Sequence, residues 1–159
     1  MKYPRESVTD FMERYFAAYS TIAQDPAKNH QMVEYYSPDL IVNAYLGEVL
    51  EVDFEGFLLL SSSHPNIRET LTADHFVIDE EKGMIAVLVR GVLTSLATGE
   101  VIREMRFSAH YQLKLDEKEL IKIEQLWLFS QYAPEGKKSI FEMYEEERIA
   151  KMKAEEDTV

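Results

Sequence analysis

The sequence predicts an α+β protein in which a strongly curved antiparallel sheet is covered by N-terminal helices and can enclose a pocket. Helical patterns occupy the first part of the chain, and strand patterns then follow one another through residues 67–132. Helices followed by a long strand meander are typical of α+β folds. Strands this long twist and coil, so we expect the sheet to curve around whatever covers it.

The first predicted element is an amphipathic helix that ends before Asp25-Pro26. Its apolar residues recur at helical spacing, and they are Val8, Phe11, Met12, Tyr15, Phe16, Tyr19 and Ile22. Tyr15 and Tyr19 lie one turn apart on this inward face, so their hydroxyls can donate hydrogen bonds to a ligand. The alternative interpretation is that both rings belong only to the aromatic core.

Shorter elements are predicted to lead into the sheet. A second helix is expected over 29–36 with Val33 and Tyr36 inward, followed by strands over 40–45 and 48–52 and a third helix over 54–63. Asn43, on the first of these strands, is a candidate for orienting a ligand.

Four long strands are then predicted over 70–79, 84–95, 101–115 and 120–132. The second is nearly all apolar, which favours cover on both faces. The third alternates, and its polar face carries Glu104, Arg106, Ser108, His110 and Gln112. We predict a homodimer through that face. Trp127, on the last strand, is predicted to line the pocket or the core.

A C-terminal helix with a weak apolar stripe is expected from residue 138 to 154. The chain is therefore divided into an α+β domain over 1–136 and a helical extension over 137–159.

Composition excludes several classes of function. The 159 residues are 46% hydrophobic, which suits one domain with a full core. The net charge of −12 disfavours nucleic acid and anionic membranes as partners. Without cysteine there are no disulfides or thiolate nucleophiles. The chain has neither an apolar signal-peptide core nor an apolar run of the ~20 residues that span a bilayer, so a soluble cytoplasmic protein is expected.

His75 is the leading candidate for chemistry, because an imidazole with an ordinary pKa of about 6.5 suits acid–base catalysis. The alternative is a core histidine with a structural hydrogen bond. The four histidines show no paired metal-ligand spacing, and no glycine-rich phosphate loop is present. Neither a metal nor a cofactor is therefore expected.

Several local patterns carry a family resemblance. Tyr15 to Tyr19 is followed by Asp25-Pro26, then by Pro38-Asp39 before the first strand, by Asp74-His75-Phe76-Val77, and by Leu126-Trp127-Leu128-Phe129. Together these patterns resemble the SnoaL-like group of the nuclear transport factor 2-like superfamily. The resemblance implies a cone-shaped, strongly curved antiparallel sheet wrapped over the N-terminal helices, an internal pocket and often a dimer through the outer sheet face. The superfamily includes isomerase-like, scytalone dehydratase-like and cyclase-like enzymes as well as non-catalytic modules.

The match to the enzymes is partial. Isomerase-like members place a carboxylate before the turn glycine, and residues 42–46 contain no acid before Gly47. His75 matches the first histidine of the dehydratase-like members. However, His110 is out of register with their second histidine, and Ala44 stands where they have a tyrosine.

Three functions follow as hypotheses. The first is a cofactor-independent lyase, isomerase or cyclase that uses His75 on a small hydrophobic or aromatic molecule, with Tyr15, Tyr19, Asn43 and Trp127 binding the ligand. The second is a non-catalytic binder with the same pocket. The third is a dimeric interaction module.

Overall fold

The computed structural model describes residues 1–45, 49–130, 138 and 140–158. The first half contains helix α1 (Arg5–Tyr19), a short 3-10 helix (Asn29–Glu34), strands β1 (Tyr36–Tyr45) and β2 (Val49–Asp53), and helix α2 (Phe54–Ser61). The second half contains strands β3 (Ile67–Asp79), β4 (Met84–Ser95), β5 (Val101–Leu115) and β6 (Ile121–Ser130), followed by helix α3 (Ile140–Asp157).

The strands form one curved six-stranded sheet in the order β2-β1-β6-β5-β4-β3. Every neighbouring pair is antiparallel except β1 and β6, which are parallel. Hairpin turns fix the direction of β3 to β6, whereas β1 joins β6 from a distant part of the chain. The predicted α+β class with a mainly antiparallel, curved sheet is confirmed.

Helix α1 contributes its apolar stripe to the main core. Val8 and Met12 are fully buried there together with inward side chains of the sheet such as Val89 and Leu126. Fully burying one side chain of this size stabilises the fold by about 1.5–3 kcal/mol, so the helix is held to the sheet mainly by this stripe. The predicted packing of the first helix against the sheet is thus observed.

The segment before the sheet differs from the prediction. The second helix is a 3-10 helix that ends at Glu34, Val33 is 54% exposed, and β1 already begins at Tyr36. Pairing with β6 explains the difference, because Ile123 donates its N–H to the Tyr35 carbonyl at 2.8 Å. Pro38 fits in this strand because the pairing of β1 with β6 is irregular between Tyr36 and Ile41.

Strand β3 changes the direction of its side chains at a bulge. Its pairing with β4 shifts between Ala73 and His75, so Asp74 is an extra residue. Before the bulge the odd-numbered residues Ile67, Glu69 and Leu71 are buried. After it the even-numbered Phe76 and Ile78 face the core. A shift of one residue moves every later side chain to the opposite face.

Helix α3 contacts the rest of the protein through its first half. Tyr144 is buried and Met143 and Glu147 are half-buried, whereas residues 148–158 are exposed. The boundary predicted at 136–137 falls outside the described residues, so the division into two parts stays a prediction. No helix in the described ranges is both long and apolar enough to cross a membrane. The cytoplasmic location also stays a prediction.

Candidate functional site

Four buried tyrosines form a continuous group in the interior, here called the tyrosine seam: Tyr15 and Tyr19 of α1, Tyr36 of β1 and Tyr111 of β5. The hydroxyls of Tyr15 and Tyr36 lie 3.0 Å apart and share a hydrogen bond. The ring of Tyr15 also contacts those of Tyr19 and Tyr111, with centroid distances of 6.2 and 5.8 Å. Polar atoms therefore run through what would otherwise be an apolar core.

Burial keeps these tyrosines protonated. It is the largest cause that raises the pKa of all four hydroxyls well above the ordinary value of 10.0. A neutral phenol both donates and accepts a hydrogen bond. The seam therefore offers hydroxyl donors in a region from which water is largely excluded.

Beside the seam lies a buried carboxyl group. Glu69 of β3 is only 7% exposed, and the Tyr144 hydroxyl from α3 donates a hydrogen bond to its carboxylate. Gln24 fixes the backbone at this point, because its side chain accepts from the Glu69 N–H at 2.7 Å and donates to the Glu69 carbonyl at 2.6 Å. Burial raises the pKa of Glu69 above 4.5, and the Tyr144 hydrogen bond partly opposes that rise.

His64, which follows α2, completes this group. Its side chain is 3% exposed, and its ring stacks on that of Tyr144 with centroids 4.0 Å apart and an angle of 17°. Nδ1 lies 2.9 Å from the Ile67 carbonyl, which can only accept, so Nδ1 carries the proton. Burial lowers the pKa of the imidazole below 6.5, which leaves Nε2 as a neutral acceptor. Nε2 is buried and has no hydrogen-bond partner among the described residues. We call His64, Glu69 and Tyr144 the Glu69 cluster.

The seam and the Glu69 cluster are close enough to interact. The charge of Glu69 contributes to the raised pKa values of Tyr19 and Tyr111. A carboxyl whose pKa is raised holds its proton more readily than an ordinary carboxyl, and nearby phenols can stabilise a developing oxyanion. The described residues contain no group of three metal-ligating side chains that could hold an ion.

Tyr15 and Tyr19 lie inside, as the sequence predicts, although their ligand-binding role stays a prediction. His75 does not join them. Its side chain is exposed, and it pairs across the sheet with Leu88, which is itself exposed on the outer face. The inward orientation expected for His75 is therefore wrong. The bulge at Asp74 is the reason, because unbroken alternation from Glu69 and Leu71 would have placed residue 75 inside.

Asn43 and Trp127 also lie on the outer face. They pair with each other across β1 and β6, one residue beyond the core pair Val42 and Leu126. Trp127 pairs in turn with His110 of β5. The structure thus brings Asn43 and Trp127 together but separates them from the seam. Because neighbouring residues of a strand point to opposite faces, both side chains point outward, and the expectation that they line the interior with Tyr15 and Tyr19 is wrong.

Large apolar side chains are exposed on the same outer face. The rings of Tyr45 and Phe129 stack in parallel with centroids 4.9 Å apart, and they are 37% and 39% exposed. Leu88 is exposed and Trp127 is half-buried nearby. We call Tyr45, Leu88, Trp127 and Phe129 the outer patch. Cover was predicted for both faces of β4, but the described residues leave its outer face exposed at Leu88.

The polar residues predicted for the dimer face extend from this patch. Arg106 lies opposite Arg90 across β4 and β5, and it forms an ion pair of 3.7 Å with Asp74. These arginines, with Glu104 and Met105, line an open surface depression of about 310 Å³. A second depression, of about 550 Å³, lies beside the first turns of α1 and is also open. The enclosed pocket stays a prediction.

The sequence interpretation missed all three members of the Glu69 cluster. Glu69 is two residues from both Ile67 and Leu71, so the three side chains share the inward face of the strand. An acidic residue at such a position was a signal that could have identified Glu69. His64 directly follows the third predicted helix, and Tyr144 lies within the predicted C-terminal helix. Neither assignment indicated that the two rings would stack.

Comparison with solved structures identifies the fold. The chain is similar to an NTF2-like protein from Cytophaga hutchinsonii, with 15% identity, a TM-score of 0.59 and coverage of 80% of this chain and 98% of that chain. ActVI-ORFA from Streptomyces coelicolor is similar with 9% identity, a TM-score of 0.61 and coverage of 79% and 96%. PrhC from Penicillium brasilianum gives 12% identity, a TM-score of 0.60 and coverage of 96% and 91%.

Neither a family model nor a curated protein matches the sequence. The structural comparisons nevertheless agree with one another, and the chain has the nuclear transport factor 2-like fold. The resemblance stated from the local sequence patterns is confirmed at the level of the fold.

Proposed function

We propose that this protein binds a small hydrophobic or aromatic molecule between α1 and the inner face of the sheet. The tyrosine seam and Glu69 supply the polar contacts. One observation carries the proposal: a carboxyl group in the interior accepts a hydrogen bond from a phenol and lies close enough to the buried Tyr19 and Tyr111 to affect their pKa values. A site with this chemistry suits an apolar ligand that carries hydroxyl or carbonyl groups.

Polar groups in the core of a protein have an energetic cost. Burying a hydroxyl or a carboxyl is unfavourable unless it finds a partner, and apolar residues of similar volume are often at least as stabilising. Glu69, Tyr15 and Tyr36 are therefore poor choices for stability alone. A requirement for polar contacts with a ligand accounts for their presence.

The same groups suit proton transfer without a cofactor, as in a lyase, isomerase or cyclase. Glu69 replaces His75 as the proposed acid–base group, because its carboxyl is buried with a raised pKa whereas His75 is exposed. The seam hydroxyls would stabilise an enolate-like oxygen of the substrate. General acid–base groups contribute about 10²–10⁴-fold to the rate, so Glu69→Gln lowers kcat by that order for any substrate that is turned over.

A thermal-shift screen against hydroxylated aromatics, steroids and polyketide-like compounds tests binding, because a ligand of the folded state raises Tm. Each hit is then titrated calorimetrically into wild type, Glu69→Gln and the matched control His75→Gln. We expect Glu69→Gln to weaken binding and His75→Gln to leave it unchanged. Hits that are insensitive to Glu69 but lost in the His75 variant contradict the proposed site.

A homodimeric interaction module is the second candidate, and the outer patch favours it. Exposed stacked aromatic rings beside mixed charges suit a self-complementary two-fold contact. This function is compatible with interior ligand binding, because the patch and the seam lie on opposite faces of the sheet.

A further inference from the structure

Tyr144 stands out because it inserts a phenol into a polar site from a helix whose later residues, 148–158, are exposed. Of the residues beside it in sequence, Met143 is half-buried and Glu145 is exposed, and no described side chain that follows it in the helix is fully buried. Among the interactions that hold the phenol ring are a hydrogen bond to Glu69 at its hydroxyl end and a stack against His64 on its face. The side walls are apolar, because Ile67 and Leu93 are buried against the same ring and Met105 packs nearby.

We propose that the Glu69 cluster is a binding site for a hydroxylated aromatic ring, and that Tyr144 occupies this site as an intramolecular stand-in for the ligand. This inference rests on the proposed interior ligand site, and it adds the ligand class and the way in which access is controlled. A free ring that enters the site takes the place of the Tyr144 side chain and releases the first half of α3 from the sheet.

The site recognises the chemistry of a phenol at two points. The Glu69 carboxylate accepts the ring hydroxyl, and the flat imidazole of His64 covers one ring face. The second, independent observation is the Nε2 atom of His64, which is buried without a partner among the described residues although Nδ1 is satisfied by the Ile67 carbonyl. Buried polar atoms in folded proteins are nearly always hydrogen-bonded, so an unpaired acceptor indicates a missing donor. A ligand with a second hydroxyl supplies that donor.

The position of Tyr144 makes its displacement feasible. Residues 148–158 of α3 are exposed, so this half of the helix does not oppose release of the ring. Tyr144 competes with a free ligand from within the same molecule. The apparent affinity of the free ligand is therefore reduced in proportion to the fraction of molecules in which the site is vacant. Removing the Tyr144 ring should therefore unmask binding.

The experiment uses p-cresol, which is the tyrosine side chain as a free molecule, and toluene, which lacks the hydroxyl. Both are titrated by calorimetry into full-length wild type, Tyr144→Phe and Tyr144→Ala. We expect p-cresol to bind Tyr144→Ala at least about 10-fold more tightly than toluene, because a hydrogen bond to a buried carboxylate is worth more than a neutral one. Affinity for p-cresol should rise from wild type through Tyr144→Phe to Tyr144→Ala.

Tyr3→Ala is the matched control for simple cavity filling. Tyr3 is 4% exposed, close to the 7% of Tyr144, but its hydroxyl donates only to the Leu113 carbonyl at 3.4 Å. A cavity at position 3 should therefore accept p-cresol with little preference over toluene. Equal preference in the two alanine variants, or no p-cresol binding to Tyr144→Ala, overturns the inference.

Hydrogen exchange on the wild-type protein gives a readout that needs no substitution. Saturating p-cresol should speed exchange of the α3 amides and leave β4 and β5 unchanged. Unchanged α3 exchange at saturation overturns displacement. A third outcome separates the two proposals. If hits of the screen bind the wild type through Glu69 but Tyr144→Ala does not bind p-cresol, the interior ligand site is supported and only the role of Tyr144 as a stand-in for the ligand is contradicted.

Discussion

Replacing Tyr144 with phenylalanine isolates the hydrogen bond at the centre of the Glu69 cluster. The variant keeps the ring that stacks on His64 and removes only the hydroxyl that donates to Glu69. Because Glu69 is 7% exposed, water has little access to the carboxyl oxygen that loses its donor. The loss of that donor therefore leaves a buried acceptor unsatisfied.

The expected loss is about 1.5–3 kcal/mol of unfolding free energy, the range for hydrogen bonds to charged groups. For a domain of this size about 1 kcal/mol lowers Tm by 2–4 °C, so Tm should fall by about 3–12 °C. The removal of the Tyr144 donor also raises the pKa of Glu69 further, since that hydrogen bond lowers it. Protonation of the carboxyl moderates the loss at acid pH.

The assay is urea unfolding followed by fluorescence of Trp127, the single tryptophan of the chain. Tyr3→Phe is the matched control, because it removes an equally buried hydroxyl that donates to a backbone carbonyl at 3.4 Å. We expect the control to lose less than about 1 kcal/mol. Equal losses in the two variants would refute the special role of the Glu69 contact.

Three further predictions concern the interior and the outer patch. With rising pH, the stability of Glu69→Gln should fall less steeply than that of the wild type. Burial raises the pKa of Glu69 above 4.5, so the stability that Glu69 contributes is present below that pH and is lost as the pH rises through the raised value. Equal pH slopes of the urea midpoint in both proteins would contradict this. Tyr15→Phe should cost about 1 kcal/mol in the same assay, because it leaves the Tyr36 hydroxyl without its 3.0 Å partner; an unchanged midpoint would argue against that bond. Phe129→Glu should convert a dimer into a monomer by light scattering, and a monomeric wild type would disprove the proposed interface.

The architecture followed from patterns that are local and strong. The apolar stripe of α1 and the alternation along β5 each depend on one regular period, and both appear in the structure as expected. The parallel pairing of β1 with β6 and the early start of β1 at Tyr36 depend on contacts between distant segments. The local periodicity of the sequence does not indicate which distant segments pair.

The candidate site was predicted less well, and one residue shows why. His75 stands two residues after Ala73 and six after Glu69, so regular alternation places it inside with both. A single extra residue in β3 reverses that result, and no glycine or proline marks the bulge in the sequence. Tyr144 was beyond prediction for a different reason, since its burial depends on where α3 packs.

Tyrosine-selective ¹³C NMR tests the central claim, because the nine tyrosines report on both faces of the sheet. A compound that raises Tm is titrated into protein labelled at the tyrosine rings, with Tyr→Phe variants assigning the signals. An interior ligand should shift the resonances of Tyr15, Tyr19 and Tyr111 and leave that of Tyr45 on the outer patch unchanged. Shifts confined to Tyr45, with the seam resonances unmoved at saturation, would contradict an interior binding site.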